Sequence, residues 1–176
     1  MTRPVDRVFD ELLVIHAQAG NREARERLAS RWRPRHYAHA RRLLNTGDQA
    51  ADAVQDAWIS IIRGLWRLQD PSRFPAWSYA IVTRRCQDIL RRKQRANEQE
   101  FGDELTAAAV EDPNELRDLR AAMSNLPADQ RAAIALFYRA GLTVVEIAEA
   151  LVIPVGTVKT RLFHGRRALR QFLEGD

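Results

Sequence analysis

The sequence has few of the features that would define a disulfide-rich, secreted or membrane protein. Of its 176 residues one is a cysteine, Cys86, so no disulfide can form within the chain, as is usual in a reducing compartment. No apolar run approaches the roughly 20 residues that a membrane helix needs. Acidic residues at positions 6, 10 and 11 interrupt the region where a secretory signal would be apolar. We therefore expect a cytoplasmic protein without membrane insertion.

Signals for β-strands are also nearly missing. Alternating β-branched runs do not occur, the chain has eight glycines, and apolar residues recur at spacings of three and four. This pattern predicts an all-α fold. In the first predicted helix, residues 5–19, the apolar residues Val8, Leu12, Ile15 and Ala19 share one face.

An acidic segment divides the chain. Residues 97–113 contain six acidic residues and no basic one, and they end in a proline. All four tryptophans precede this segment. We predict two small helical domains with separate cores, residues 1–96 and 114–176, joined by a flexible acidic linker at 97–113.

The second domain contains the pattern of a helix-turn-helix. Thr143 and Glu146 have the spacing of a capping box, which would begin a short helix at residues 144–151. After a turn, a helix opens near Val155 and carries five basic residues and no acidic one up to residue 173. Because such a helix can enter the major groove, the pattern favours a helix-turn-helix. The alternative is a helical hairpin with a solvated basic face.

The second helix of this motif has two predicted faces. The residues expected to pack inward are Val155, Val158, Leu162 and Leu169. The opposite, exposed face would hold Gly156, Lys159, Thr160, Phe163, His164 and Arg167.

Two groups of charged residues in the first domain suit binding. Asp52 and Asp56 share one face of the third predicted helix, although acids near a helix N-terminus also complement its dipole, and the pattern leaves both explanations open. The fourth predicted helix carries six basic residues between positions 84 and 95, close to Trp77 and Tyr79. Cations beside aromatic rings suit single-stranded nucleic acid. For Trp77, core packing is the alternative.

No catalytic or metal-binding set is visible in the sequence. The four histidines are scattered, and His36 and His39, three apart, have no acid or thiol at ligand spacing. There is no glycine-rich phosphate loop, and Cys86 fits a buried structural thiol. We expect a protein that is not an enzyme and has no cofactor, metal or small-molecule substrate.

Seven motifs, in their order and spacing, resemble those of the extracytoplasmic-function (ECF, group 4) sigma factors of bacterial RNA polymerase. They are AQAGNREA (17–24), DAVQDAW (52–58), FPAW (74–77), DILRR (88–92), LPADQR (126–131), EIAEAL (146–151) and PVGTVKTR (154–161). The resemblance extends from about residue 13 to residue 173. It implies sigma region 2 in the first domain and sigma region 4 in the second.

The resemblance also implies partners and roles. Core RNA polymerase would be contacted at its β′ clamp helices and β flap, and further partners would be promoter DNA and an anti-sigma factor. The polymerase set, which would bind the clamp helices, is Asp52, Gln55 and Asp56. The −10 set, which would bind and melt the −10 element, is Asp70, Ser72, Arg73, Phe74, Trp77, Thr83, Arg84, Arg91 and Arg92. The −35 set, which would bind the −35 element, is Lys159, Thr160, Phe163, His164 and Arg167. The linker would thread the polymerase channel.

Three positions depart from the family pattern. Val152 replaces a glycine of the turn, and because a left-handed valine costs about 1–2 kcal/mol we expect a differently shaped turn. Arg84 replaces an asparagine. His164-Gly165 replaces a more basic pair, and Gly165 would weaken its helix by about 1 kcal/mol relative to alanine.

Three other functions are alternatives to a sigma factor. A sigma-like decoy would bind an anti-sigma factor and not DNA, and it would lose the basic residues that this chain keeps. A stand-alone helix-turn-helix regulator would need a ligand or dimer module within residues 1–113. A nucleic-acid enzyme would need a candidate catalytic site, which the sequence does not offer.

Overall fold

The protein is described here by a computed structural model, which covers residues 4–44, 46–97 and 121–174. Within these ranges it is helical and has no strands, which confirms the all-α prediction. The helices are α1 Pro4–Gln18, α2 Arg22–Leu43, α3 Gly47–Gly64, α4 Phe74–Asn97, α5 Ala128–Tyr138, α6 Val144–Leu151 and α7 Val155–Glu174. Short 3-10 turns lie at Leu65–Arg67 and Pro71–Arg73, and residues 121–124 are helical. All but the first residue of the predicted linker lie outside the described residues.

The helices begin where local capping predicts. The Asn21 side chain accepts a hydrogen bond from the Ala24 amide at 2.9 Å, and α2 follows directly. Thr46 caps α3 in the same way through the Gln49 amide. These caps satisfy amides that have no partner inside the helix.

The buried side of α1 is not the apolar face that Val8, Leu12 and Ile15 share. Val8, Leu12 and Ile15 are about half exposed, whereas Leu13 is buried. Asp10 is also buried, and its carboxylate pairs with Arg31 of α2 at 2.9 Å. Apolar residues run along two sides of this helix. Their spacing does not tell which side faces α2.

Two buried histidines join α2 to α4. A ring nitrogen of His36 is hydrogen-bonded to the Ser78 hydroxyl at 3.0 Å, and His39 is bonded to the Thr83 hydroxyl at 2.9 Å. Burial lowers the pKa of both histidines to about 3, so both are neutral near pH 7. The ring of Tyr79 contacts both of them edge-on, with centroids 5.1 Å away.

The described helices form a first unit, α1–α4, and a second unit, α5–α7, that share one core. Their buried apolar residues form a continuous cluster, with α6 packed on α4 and α5 packed on α2. The prediction of separate cores is therefore wrong for this arrangement. The position of the four tryptophans suggested separate cores, but α5 packs into the shared core largely through small side chains, such as Ala132 and Ala133. Small residues let two helices approach closely without a bulky ring.

Candidate polymerase and nucleic-acid interfaces

The three residues of the polymerase set, Asp52, Gln55 and Asp56, are exposed on one face of α3. Helix α3 begins at Gly47, so Asp48 is its first-turn acid. The effect of the helix dipole falls off within the first turn. Complementing the dipole therefore explains Asp48 but not Asp52 and Asp56, whose like charges face solvent and can meet a partner.

Exposed apolar residues continue this acidic face along α3. Ile59 and Ile62 are partly exposed, and Trp66, just after the helix, is 67% exposed. The guanidinium of Arg67 lies 4.8 Å from the Trp66 ring centroid. Apolar and aromatic groups beside charged ones are typical of protein interfaces. The polymerase set predicted from the sequence does not include these residues. Ile59 lies three residues after Asp56, a helical spacing that already indicated a shared face.

The loop before α4 is held in shape by its own polar groups. Asp70 accepts hydrogen bonds from the Ser72 hydroxyl at 2.7 Å and from the Ser72 amide at 2.9 Å. These two bonds lower the pKa of Asp70. The loop is thus a capped 3-10 turn with an exposed anion and not an irregular segment.

Two members of the −10 set are inaccessible. Phe74 is 0% exposed and meets the Trp32 ring edge-on at 5.3 Å, and Thr83 is 2% exposed with its hydroxyl bonded to His39. Their predicted direct contact with DNA is wrong for this conformation, because both side chains complete the interior of the first unit. Trp77 is partly buried, and a Cβ added at Gly64 would lie 3.2 Å from its ring, which favours core packing.

The cations of the −10 set lie further along α4. Arg84, Arg91 and Arg92 are exposed, and Arg91 pairs with Asp88 at 2.6 Å. Cys86, between them in sequence, is buried, and burial raises the pKa of its thiol to about 12. The interpretation of Cys86 as a buried thiol is confirmed. The side chains of this segment that a ligand can reach are the arginines.

The second unit covers part of the first near the −10 set. Glu149 on α6 pairs with Arg73 at 2.8 Å, and Glu146 on α6 pairs with Arg7 of α1 at 2.9 Å. Helix α6 itself packs along α4. The first helix of the helix-turn-helix therefore lies against the helix that would bind the melted strand.

The capping box of α6 is present in full. The Thr143 hydroxyl accepts from the Glu146 amide at 3.2 Å, and a Glu146 carboxylate oxygen accepts from the Thr143 amide at 2.7 Å. Partial burial opposes the charged form of Glu146, but the bonds from Thr143 and the charge of Arg7 outweigh it, so its pKa is lowered. The same carboxylate caps α6 and contacts α1.

The turn of the motif has its usual shape despite the valine. Val152 has φ 58° and ψ 47°, the left-handed conformation, and is the one non-glycine residue with positive φ in the described ranges. The Ile153 amide donates to the Ala148 carbonyl at 3.0 Å, which closes the end of α6. The prediction of a differently shaped turn is wrong, and the turn stores about 1–2 kcal/mol of strain.

Gly165 has a packing role that its helix propensity does not show. It lies on the buried side of α7, and a Cβ added there would be 3.0 Å from Cγ1 of Ile134 on α5. The glycine permits the close approach of α7 to α5. This contact accounts for a residue that would otherwise only weaken the helix.

All five residues of the −35 set are exposed on α7. Phe163 is 62% exposed, and its ring lies 5.3 Å from that of His164. The Thr160 hydroxyl donates to the Gly156 carbonyl at 3.1 Å. Val158 and Leu162 are buried as predicted, whereas Val155 is partly exposed, because it is the first residue of the helix and lies at its free end.

The exposed face of α7 carries more positive charge than the −35 set alone. Arg166 and Arg170 line the same groove as Lys159, Phe163 and Arg167. Arg161, by contrast, pairs with Asp129 at 3.1 Å and ties α7 to α5. A cationic groove along a helix suits the phosphates that flank a recognition site. No His, Cys, Asp and Glu cluster suited to a metal occurs among the described residues.

Two family models match the chain, Sigma-70 region 2 at residues 28–96 and Sigma-70 region 4 at residues 116–169. ECF RNA polymerase sigma factor SigM of Mycobacterium tuberculosis is 31% identical over 173 residues, which span 93% of this chain and 83% of that protein. SigE of Mycolicibacterium smegmatis is 32% identical, with 78% of this chain matching 56% of the longer relative. The two matched regions define a transcription initiation factor of the sigma-70 class. The chain belongs to the ECF RNA polymerase sigma factors.

Solved structures show the same fold. The sigma factor RpoE of Bartonella quintana, solved with the anti-sigma factor NepR, matches with a TM-score of 0.73 and 25% identity, over 86% of this chain and 97% of that one. CnrH, solved with the cytosolic domain of CnrY, matches with a TM-score of 0.65. No helix in the described ranges is long and apolar enough to cross a bilayer.

Proposed function

We propose that this chain is an alternative sigma factor that binds core RNA polymerase and directs initiation at its own promoters in the cytoplasm. Residues 1–96 act as region 2, residues 97–113 as the linker and residues 114–176 as region 4. The observation that carries this proposal is a complete helix-turn-helix whose second helix exposes the whole −35 set. No step of its action is covalent, so binding energy alone must open the promoter.

The polymerase set and its apolar continuation form one binding surface. Asp52, Gln55 and Asp56 supply charge and hydrogen-bonding groups, and Ile59 and Trp66 supply exposed apolar area on the same side. An interface of this composition has a desolvated centre with charged groups around it. We assign it to the β′ clamp helices, and the second unit to the β flap.

The two units must separate when both promoter elements are bound. Positions −10 and −35 are about 25 base pairs apart, roughly 85 Å of duplex at 3.4 Å per base pair. A compact chain of 176 residues has a radius of gyration of about 16 Å and is about 40 Å across. Packed units cannot reach both elements at once. Binding to polymerase would therefore pull α6 away from α4.

Separation would free groups of the −10 set that are now engaged. Arg73 would lose Glu149, and the Asp70–Ser72 turn beside it would face the melted strand together with Arg84 and Arg92. Unstacking a base costs a few kcal/mol, which base capture and phosphate contacts must offset. Phe74 and Thr83 support this surface from beneath.

An anti-sigma factor is a further proposed partner. The relative from Bartonella quintana was solved with one, and 97% of that chain is matched here. A partner that covers the α3 surface or holds the two units together would block polymerase binding. Such a partner would keep the protein inactive until a signal releases it.

Run-off transcription tests the proposal. Core polymerase is assayed with genomic promoter fragments, with and without the protein, and promoter-specific transcripts are expected only when the protein is present. The Asp52→Ala/Asp56→Ala variant should lose polymerase binding. The matched control is Asp48→Ala on the same helix, which removes a first-turn acid worth about 0.3–1 kcal/mol to the helix but should keep binding.

Three outcomes would contradict it. Absence of any promoter-specific transcript would favour the decoy. Promoter binding without polymerase would favour a stand-alone regulator. Equal loss of polymerase binding in Asp48→Ala and in the double variant would remove the assignment of the α3 surface.

A further inference from the structure

A cavity of about 780 Å³ lies between the two units. One wall is formed by α1, α2 and the start of α4, and it includes Arg35, Arg42 and Tyr79. The other wall is formed by residues 135–142 at the end of α5, including Arg139. The volume falls within the range of small-molecule sites, about 300–1,000 Å³. Because its two walls belong to different units, the cavity exists only while the units are packed together.

The carboxylates at this cavity are already paired. Asp6 and Asp10 bind Arg31 at 3.3 and 2.9 Å, and Asp10 also lies 3.7 Å from Arg35. Arg7, another lining residue, pairs with Glu146 of α6 at 2.9 Å. Because these acids already form ion pairs, they do little to neutralise the remaining cations.

Among the described residues, two cations at the cavity have no acidic partner. Within the described ranges, Arg42 makes its side-chain hydrogen bond to the Ala38 carbonyl of its own helix, at 2.6 Å, and neither Arg42 nor Arg139 is in an ion pair. Burial lowers the pKa of Arg42, and the nearby charges of Arg139 and Arg131 lower it further. The packed arrangement therefore places like charges together.

Neighbouring polar groups add hydrogen-bonding capacity. Burial raises the pKa of Tyr79, and the nearby charges of Arg35, Arg42 and Arg139 oppose that rise. The Tyr79 hydroxyl has no hydrogen-bond partner in the described part of the chain. Arg131 adds positive charge nearby while its Nη2 donates to the Arg42 carbonyl at 3.3 Å. Guanidinium groups converging with a hydroxyl are what a multivalent oxyanion needs.

We propose that this junction cavity binds a multivalent oxyanion of the phosphate class, held by Arg42 from the first unit and Arg139 from the second. The ligand relieves the repulsion between these cations and bridges the two units. Because it binds only the packed arrangement, it stabilises that arrangement by mass action. While the ligand is bound, α6 stays packed on α4 and Arg73 stays paired with Glu149.

Inorganic pyrophosphate is the probe for this site. It is titrated into the free 176-residue chain by isothermal titration calorimetry at constant ionic strength, with acetate as the monovalent comparison. Saturable binding of pyrophosphate and none of acetate are expected. Arg139→Gln should weaken binding about tenfold or more, because it removes a charge-assisted hydrogen bond. Arg63→Gln, an equal loss of charge at an exposed position of α3, should leave the affinity unchanged.

A second readout separates binding at the junction from binding elsewhere. At one pyrophosphate concentration, the melting temperature should rise more for the wild-type and Arg63→Gln chains than for Arg139→Gln, whose exposed position keeps the fold intact. No saturable heat, equal affinity in Arg139→Gln, or equal binding of acetate would each overturn the proposal. All of these measurements omit polymerase, so their failure leaves the sigma assignment standing, and failed transcription leaves the anion site standing.

Discussion

The two surfaces assigned to promoter DNA differ in how open they are. On α7 all five residues of the −35 set are exposed. In the first unit, Phe74 and Thr83 are buried and Arg73 is held by Glu149 of the other unit. Both sets follow from the same family resemblance. Membership in a motif thus indicates the kind of contact, and the packing around a residue decides whether DNA can reach it.

The largest expected effect separates two phenylalanines that the resemblance assigns to DNA. Phe74→Ala should lower the free energy of unfolding by about 3–5 kcal/mol, since it empties a buried site beside Trp32. Phe163→Ala should change it by about 0.5 kcal/mol or less and weaken binding to the −35 element. Urea denaturation and promoter-binding assays measure the two effects. Equal losses of stability would contradict the difference in burial.

Acid should act on the first unit through its buried histidines. The pKa of His36 and of His39 is about 3 in the folded chain, whereas an ordinary histidine has a pKa near 6.5. Between these values the unfolded chain binds protons that the folded chain does not. Stability is therefore complete above about pH 6.5 and falls below it, by up to about 1.4 kcal/mol per pH unit for each histidine.

Denaturation curves between pH 7.5 and 4.5 measure this loss. His36→Gln/His39→Gln should have a flatter dependence on pH even though it is less stable at pH 7. An unchanged slope in that variant would show that other groups cause the acid sensitivity. Comparison with His164→Gln, which changes an exposed histidine of α7, controls for the substitution itself.

The part of the fold that the sequence predicts well is governed by local interactions. The helix-turn-helix was predicted with its α6 bounds, capping box and buried Val158 and Leu162, because each depends on residues within a few positions of one another. The buried pairs His36–Ser78 and His39–Thr83 join residues 42 and 44 positions apart. No pattern within a single helix carries that information.

The same distinction explains which face of α1 is buried and the error at the junction of the units. Helix α1 has two apolar sides, and its partner α2 selects between them. Ion pairs between the units, such as Arg73–Glu149, depend on a packing arrangement between residues 76 positions apart. Local rules also missed the reason for Gly165, which is its contact with Ile134.

Breaking the Arg73–Glu149 pair should uncover the −10 set. Glu149→Arg replaces an attraction with a repulsion at a partly exposed pair, which should weaken the packing of α6 on α4. Binding of a short single-stranded oligonucleotide by the free chain should then rise, because more molecules expose the −10 set. Glu26→Arg makes the same change of charge at an exposed pair on α2. Fluorescence anisotropy showing equal gains in both variants would indicate only a charge effect.

The smallest expected effect concerns the turn before α7. Val152→Gly removes about 1–2 kcal/mol of left-handed strain and adds about 0.5–1 kcal/mol of backbone entropy cost. The net gain in stability should be about 1 kcal/mol or less. Val145→Gly, within α6 and also exposed, should instead lower stability. A lower melting temperature of Val152→Gly would show that the contacts of the valine side chain stabilise the fold by more than its backbone strain destabilises it.

Separation of the two units on polymerase is the central claim and can be measured as one distance. Cysteines introduced at Ser30 of α2 and Val145 of α6, both exposed, can take fluorescent labels. Cys86 is buried, which raises the pKa of its thiol to about 12, so we expect it to stay unlabelled. Energy transfer should report one short distance in the free chain and a longer one after core polymerase is added. The same distance in both states would contradict the account.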